Sequence, residues 1–123
     1  MGTSDLLAPP AESHTPTVID EDHLARMTLG DRGLEREVLQ IFVRQCAAML
    51  KRIAGADPVI AAAAAHTLKG SARSIGAWRV AEAAARLEEA AIGRSSKEAM
   101  SAAAAELEAA SLEACAAIGI RLG

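Results

Sequence analysis

The sequence predicts an all-α fold: an antiparallel up-and-down four-helix bundle with a short extra helix at its N-terminal end. Three observations carry this reading. From Val18 onward, apolar residues recur at spacings of three and four. No segment alternates with period two, and β-branched residues are scarce. The breaks between periodic segments are only about two to five residues long, which joins antiparallel neighbours. With 123 residues, of which 51% are hydrophobic, the chain suits one domain with its own core. Aromatic content is 2%, Phe42 and Trp78, so that core must come from aliphatic side chains and many alanines. Small side chains let helices approach closely.

Residues 1–17, MGTSDLLAPPAESHTPT, hold three of the four prolines and no periodicity, and are expected to form a flexible tail before a bundle domain at 18–123. In VIDEDHLARMTL, Asp20 is a plausible N-cap, Leu24 and Met27 share one side with Ile19 as a further candidate, and Gly30 ends the turn. Asp31 can cap a second helix running to about Ile53, with Leu34, Val38, Ile41, Phe42, Met49 and Ile53 as its stripe and Gly55 as its stop. Asp57 followed by Pro58 is an N-cap and N1 pair, because proline lacks only an amide that had no partner there. That third helix should reach Ile75, where Gly76 breaks or bends the chain. Val80, Ala84, Leu87 and Ala91 form a fourth stripe that ends near Gly93. A fifth helix begins after Ser95 or Ser96, and Met100, Ala104, Leu107, Ser111, Ala114 and Ile118 carry it to Gly119.

Charge and spacing exclude several functions. A formal net charge of −3 argues against a protein that neutralises nucleic-acid phosphates. No run of about 18 apolar residues occurs, and the N-terminus lacks a charged start followed by an apolar stretch, so a cytoplasmic protein without membrane insertion is expected. Cys46 and Cys115 lack CxxC spacing and read as reduced, partly buried thiols, with a disulfide or metal pair as the minority alternative. His14, His23 and His66 form no zinc-ligand pattern, and KGS at 69–71 lacks the preceding GxxxxG of a P-loop.

The informative stretch is AAAAAHTLKGSARSIGAW, residues 61–78. Ala61, Ala65, Leu68, Ala72 and Ile75 define the buried stripe of the third helix. At about 100° per residue, His66, Lys69, Gly70 and Arg73 lie roughly 80–180° away from its centre, on a solvent-facing surface. A lone surface histidine is usually inert, but here the context is unusual. Lys69 at i+3 suits an anion beside the ring. Gly70 costs about 1 kcal/mol relative to alanine in mid-helix, in a chain that otherwise uses alanine freely. A phosphoryl group on the imidazole accounts for all three choices: the cation offsets its charge and the glycine leaves room. A charge pair at about 6 Å is worth roughly 0.7 kcal/mol in water and up to about 3 at an effective dielectric of 20, a bias rather than a trap. Arg73 could add to that or contact a partner's acidic pocket.

His66, Leu68, Lys69, Gly70, Ser71, Ile75 and Gly76 stand in register with HxLKGS(S/A)xxΦG, and the chain thereby resembles histidine-containing phosphotransfer (HPt) domains. The resemblance implies a four-helix bundle with an exposed histidine, and a phosphorelay carrier that takes phosphate from the aspartate of one response-regulator receiver domain and passes it to another. It makes His66 the phosphoacceptor, Lys69 the phosphate-stabilising cation and Gly70 the clearance residue. Family members often orient the ring from the following helix with Gln or Glu; Glu88 corresponds, though the adjacent Glu89 leaves the choice open. A carboxylate there would fix the tautomer of a neutral imidazole, whose reference pKa is about 6.5.

The same resemblance implies receiver domains and a hybrid sensor kinase as partners, a monomer, and no cofactor, metal or autokinase activity of its own. The acyl phosphate and its Mg²⁺ would belong to the receiver. Ala62, Ala63 and Thr67 would form a flat approach surface. Leu24 and Met27 would either add an exposed apolar patch at its margin or simply cover the end of the bundle. Two alternatives compete: an HPt-fold adaptor that has lost phosphotransfer, and an enzyme using His66 as general base. The intact His66, Lys69 and Gly70 weigh against the first, and a convex helix face weighs against the second.

Overall fold

The computed structural model describes residues 18–123, so the tail expected at 1–17 lies outside the described residues. Five helices follow one another: α1 Glu21–Met27, α2 Arg32–Ile53, α3 Pro58–Ile75, α4 Trp78–Ile92 and α5 Lys97–Leu122. No strand occurs among the described residues. Helix α3 packs against α2 and α4, α4 against α5, and α5 closes back on α2, which makes an up-and-down ring with α1 laid against α3. Among the described residues, no helix is long and apolar enough to cross a membrane.

Short polar side chains start four of the helices, each accepting from a backbone amide that has no helical partner. Asp20 accepts from His23 N at 3.1 Å and Asp31 from Leu34 N at 3.0 Å. Asp57 accepts from Ile60 N at 3.0 Å, and Ser96, rather than Ser95, from Ala99 N at 3.1 Å. Helix α4 has no side-chain cap, because the turn before it is already fixed from the other side. There Ala77 N donates to Ala72 O at 2.9 Å and Gly76 N to Arg73 O at 3.4 Å, with Gly76 left-handed at φ 80°. This is a Schellman closure, the conformation that most favours glycine.

Gly76 is constrained a second time. A Cβ there would meet Asp20 Cβ at 2.9 Å, because Asp20 N donates to Gly76 O at 3.0 Å. Trp78 Nε1 donates to Asp20 Oδ2 at 2.9 Å, and the His23 ring meets the indole edge-on at 4.8 Å. The short helix is thereby pinned to the turn between α3 and α4. Helix α4 ends in the same closure, Ser95 N to Ala90 O at 3.0 Å, but the left-handed position is filled by Arg94 at φ 56° while Gly93 just before it is ordinary at φ −76°. A non-glycine residue there costs about 1 kcal/mol.

The expected stripes of α3 and α4 are buried as read from the sequence. Helix α2 differs: Leu34 and Ile41 are exposed, and the inward face is Glu35, Leu39, Phe42, Cys46 and Ile53. The apolar repeat ran one residue off because a charged side chain occupies the inner register. Glu35 is buried but satisfied, accepting from Arg121 Nη2 at 2.9 Å and Thr28 Oγ1 at 3.4 Å. Arg121 also binds Glu21, so one guanidinium joins α1, α2 and α5. That use of Arg121 explains why α5 runs past Gly119 to Leu122 instead of stopping there. On the α2–α5 side, Cys46 is a buried free thiol and Cys115 a half-buried one, and the two are close enough to influence each other's ionisation. Burial, then the neighbouring Cys115, pushes the Cys46 thiol up to about 12.

Candidate functional site

His66 stands on the outward face of α3 with its side chain 67% exposed. Its position follows from the buried alanines: Ala61, Ala64, Ala65 and Ala72 bring α3 close to its neighbours and leave the opposite side of the helix to His66. The antiparallel register then sets Glu88 of α4 beside it. His66 Nδ1 donates to Glu88 Oε2 at 2.8 Å, and Lys69 Nζ donates to Glu88 Oε1 at 2.7 Å. Glu89 points to solvent, so of the two candidates only Glu88 reaches the ring.

The electrostatics are consistent with that geometry. The Lys69 ammonium first, and His66 second, hold the Glu88 carboxyl below the usual glutamate range, against the opposing effect of its burial. An ionised carboxylate can only accept, so the proton of a neutral His66 ring sits on Nδ1 and the lone pair on Nε2. That nitrogen faces outward. Lys69 departs from the sequence expectation: it is not splayed on the open surface but lies in the α3–α4 seam, 18% exposed, against a Glu88 that is 15% exposed.

Gly70 is exposed, and a Cβ built there meets nothing within 4 Å. Nothing inside the domain therefore requires glycine at this position. Ala63, Thr67 and Arg73 are exposed and Ala62 is half-buried. Leu24 does not belong to an exposed patch: it is fully buried and anchors α1 to the core, while Met27 alone of that pair is exposed. Only about 60° of helix separates the two, but Met27 is the last residue of α1, while Leu24 sits mid-helix and faces the bundle.

Sequence reasoning missed three neighbours of the site. Gln45 of α2 receives the Ser71 hydroxyl, which ties α2 to α3 on the Arg73 side of His66. Val59 and Ile92 are large apolar side chains left exposed on the same two helices as His66 and Glu88. An i, i+7 spacing from Val59 to His66 and an i, i+4 spacing from Glu88 to Ile92 were the available signals. Among the described residues, no group of three or more His, Cys, Asp or Glu side chains is placed to hold a metal ion.

No curated protein matches the chain. Among solved structures it is similar to an X-ray structure from rice, provisionally described as a histidine-containing phosphotransfer protein, with a TM-score of 0.76 at 19% identity. That match covers 91% of this chain and 83% of the rice chain, and at such identity it shows the shared fold. The family model for the Hpt domain matches residues 37–118, the stretch that contains His66, Lys69, Gly70 and Glu88. Spanning well over half of the sequence, that match shows that the chain belongs to the Hpt domain family.

Proposed function

We propose that this chain is a phosphorelay carrier of two-component signalling, in which His66 accepts a phosphoryl group from the aspartate of one receiver domain and gives it to another. The observation that carries the reading is the placement of Glu88, whose two oxygens engage His66 Nδ1 and Lys69 Nζ and leave Nε2 open to a partner. In the forward step the Nε2 lone pair attacks phosphorus, the P–O bond to the partner's aspartate breaks, and that carboxylate leaves. The Nδ1 proton stays where it is. The ring becomes a phosphorylated imidazolium, and Glu88 faces its positive charge. Transfer to the next receiver reverses each movement.

Lys69 is the cation nearest the new phosphate, and Gly70 keeps the space beside Nε2 clear for it and for the incoming domain. The acyl phosphate and the Mg²⁺ that polarises it come with the receiver, so the carrier is a phosphocarrier without autokinase chemistry. The same reading makes it a cytoplasmic monomer that works between a hybrid sensor kinase and its regulators, with Ala62, Ala63, Thr67 and Arg73 under the docked partner and Met27 at the margin. The test is to incubate the protein with phosphorylated receiver domains of its host. Acid-labile, alkali-stable label is expected on the wild type and none on His66→Gln; an unlabelled wild type, or label that survives the substitution, overturns the reading.

A further inference from the structure

The seam that closes the ring, α2 against α5, carries the chain's two cysteines, Cys46 on α2 and Cys115 on α5. Cross-helix links on either side of them set the antiparallel register. Towards the α1 end, Arg121 Nη2 of α5 donates to Glu35 Oε1 of α2 at 2.9 Å. Towards the other end, Leu50 and Ile53 of α2 share a cleft of about 250 Å³ with Ala104, Ala105 and Glu108 of α5. Both cysteines fall between these links and belong to one apolar cluster, in which Cys46 is 1% exposed and Cys115 packs against it half-buried. The cleft shows that the two helices are not fully zipped here, which leaves slack for a small approach of one sulfur to the other.

Ser111 lies one turn before Cys115 on α5, fully buried, and its hydroxyl has no hydrogen-bond partner among the described residues. It is close enough to Cys46 to affect that thiol's ionisation. An unpaired hydroxyl in a core is costly, and an apolar side chain would serve packing better. The seam thus holds two sulfurs and a spare donor that the chemistry at His66 does not use. Burial disfavours the thiolate at both cysteines, Cys46 more than Cys115. A disulfide carries no charge, so the surroundings that resist two thiolates accept their oxidised product.

We propose that Cys46 and Cys115 are an oxidative modification site, closing to a disulfide between α2 and α5 when the protein meets hydrogen peroxide. Cys115, the more exposed, reacts first: its sulfur attacks one peroxide oxygen, the O–O bond breaks, and the thiol proton leaves with the departing hydroxide as water. Cys115 then carries a sulfenic acid. The Cys46 sulfur attacks the Cys115 sulfur, the S–S bond forms as the S–O bond breaks, and the departing hydroxide takes the Cys46 proton as a second water. Two thiols and one hydrogen peroxide give one disulfide and two waters. Ser111 supplies a free donor for the departing oxygen. The α3–α4 seam with His66 and Glu88 lies across the ring, so the bond forms without touching the phosphoacceptor. The loop it closes contains all of α3 and α4, and constraining so long a loop removes freedom mainly from the unfolded chain.

The test exposes the reduced full chain to rising hydrogen peroxide, quenches it, alkylates the remaining thiols, and reads mass, peptide map and Tm. The expected product is a single chain lighter by two hydrogens and free of alkylated cysteine, with the Cys46 peptide joined to the Cys115 peptide. Its Tm should stand about 10 °C above that of the reduced protein and return on addition of dithiothreitol. Cys46→Ser should stop at a Cys115 sulfenic acid that dimedone traps. Cys115→Ser should leave Cys46 as a thiol that alkylates in denaturant, and neither variant should gain Tm from peroxide. Ser111→Ala should close severalfold more slowly; equal rates would remove its hydroxyl from the second step. Sulfinic or sulfonic acid without a joined peptide, joining only between chains, or a joined chain whose Tm is unchanged or lower overturns the proposal. Those three outcomes are read on the wild-type chain, so they do not depend on a serine variant folding.

Discussion

Lys69 Nζ lies 2.7 Å from Glu88 Oε1, so the cation one turn beyond the phosphoacceptor is held by a carboxylate before any phosphate arrives. On phosphorylation it has two anions to serve. Its pull on the phosphoryl group is therefore a fraction of what a free ammonium would exert, about 1 kcal/mol. Lys69→Ala is expected to shorten the phosphohistidine lifetime, or to slow transfer from a receiver, by roughly fivefold. The domain stays folded, because Lys69 is not part of the core. Decay of acid-labile label and a thermal melt check both halves; equal lifetimes and rates in the two proteins would remove Lys69 from the mechanism.

Glu88 fixes the tautomer of His66, and its loss should act on rate more than on binding. Glu88→Ala is expected to slow transfer about tenfold, and Glu88→Gln less, because an amide oxygen can still accept from Nδ1. The pH dependence follows from the direction of the shift. A carboxyl held below its ordinary value of 4.5 contributes stability above that range and loses it only as pH falls through the lowered value. The Tm gap between wild type and Glu88→Gln should therefore hold from neutral pH down to about 5 and close in stronger acid. A gap that closes between about pH 7 and 5 would show that Glu88 takes up its proton early.

Two glycines six residues apart on the same stretch should respond in opposite ways to the same substitution. At Gly70 a methyl group finds open space, so Gly70→Ala is expected to stabilise the domain by about 1 kcal/mol through helix propensity and yet slow transfer from a receiver. At Gly76 the methyl group meets Asp20 and the backbone is left-handed, so Gly76→Ala should destabilise by about 1–3 kcal/mol and loosen α1. Melts of both variants beside the transfer assay separate the roles. Unimpaired transfer in Gly70→Ala would mean that no partner uses the space.

Burial keeps Cys46 protonated at neutral pH, with its thiol pushed up to about 12, and raises Cys115 as well. Since the thiolate is the reactive form, both should react with a disulfide reagent far more slowly than a small thiol, Cys46 by about a thousandfold. Cys115, the less buried, should go first. Time courses in native buffer and in denaturant test this; fast native labelling of both thiols would show that the α2–α5 face opens readily.

Much of this arrangement was legible in the residues. The Asp57–Pro58 start, the alanine stripe of α3 and the closure at Gly76 are local signals, and they place His66 on an outward face without reference to the rest of the chain. What local pattern could not supply was pairing across the bundle. The choice of Glu88 over Glu89 depends on the α3–α4 register, and the nearness of Cys46 to Cys115 depends on how α5 closes against α2. The α2 stripe misled because Glu35 is buried, satisfied by an arginine 86 residues away that no periodicity announces. Leu24 stayed open between a surface patch and a cover for the bundle's end because a short helix carries too few residues to tell its inner side from its outer one.

Trp78 is the chain's single tryptophan, and its indole N–H is bonded to Asp20 at the joint where α1 meets the turn before α4. Emission from this protein is therefore a local gauge of that joint rather than an average over the fold. Partial release of the short helix would redden and quench the signal while the four long helices still gave their full circular dichroism, so the two spectroscopies together would distinguish a loosened cap from a melted bundle.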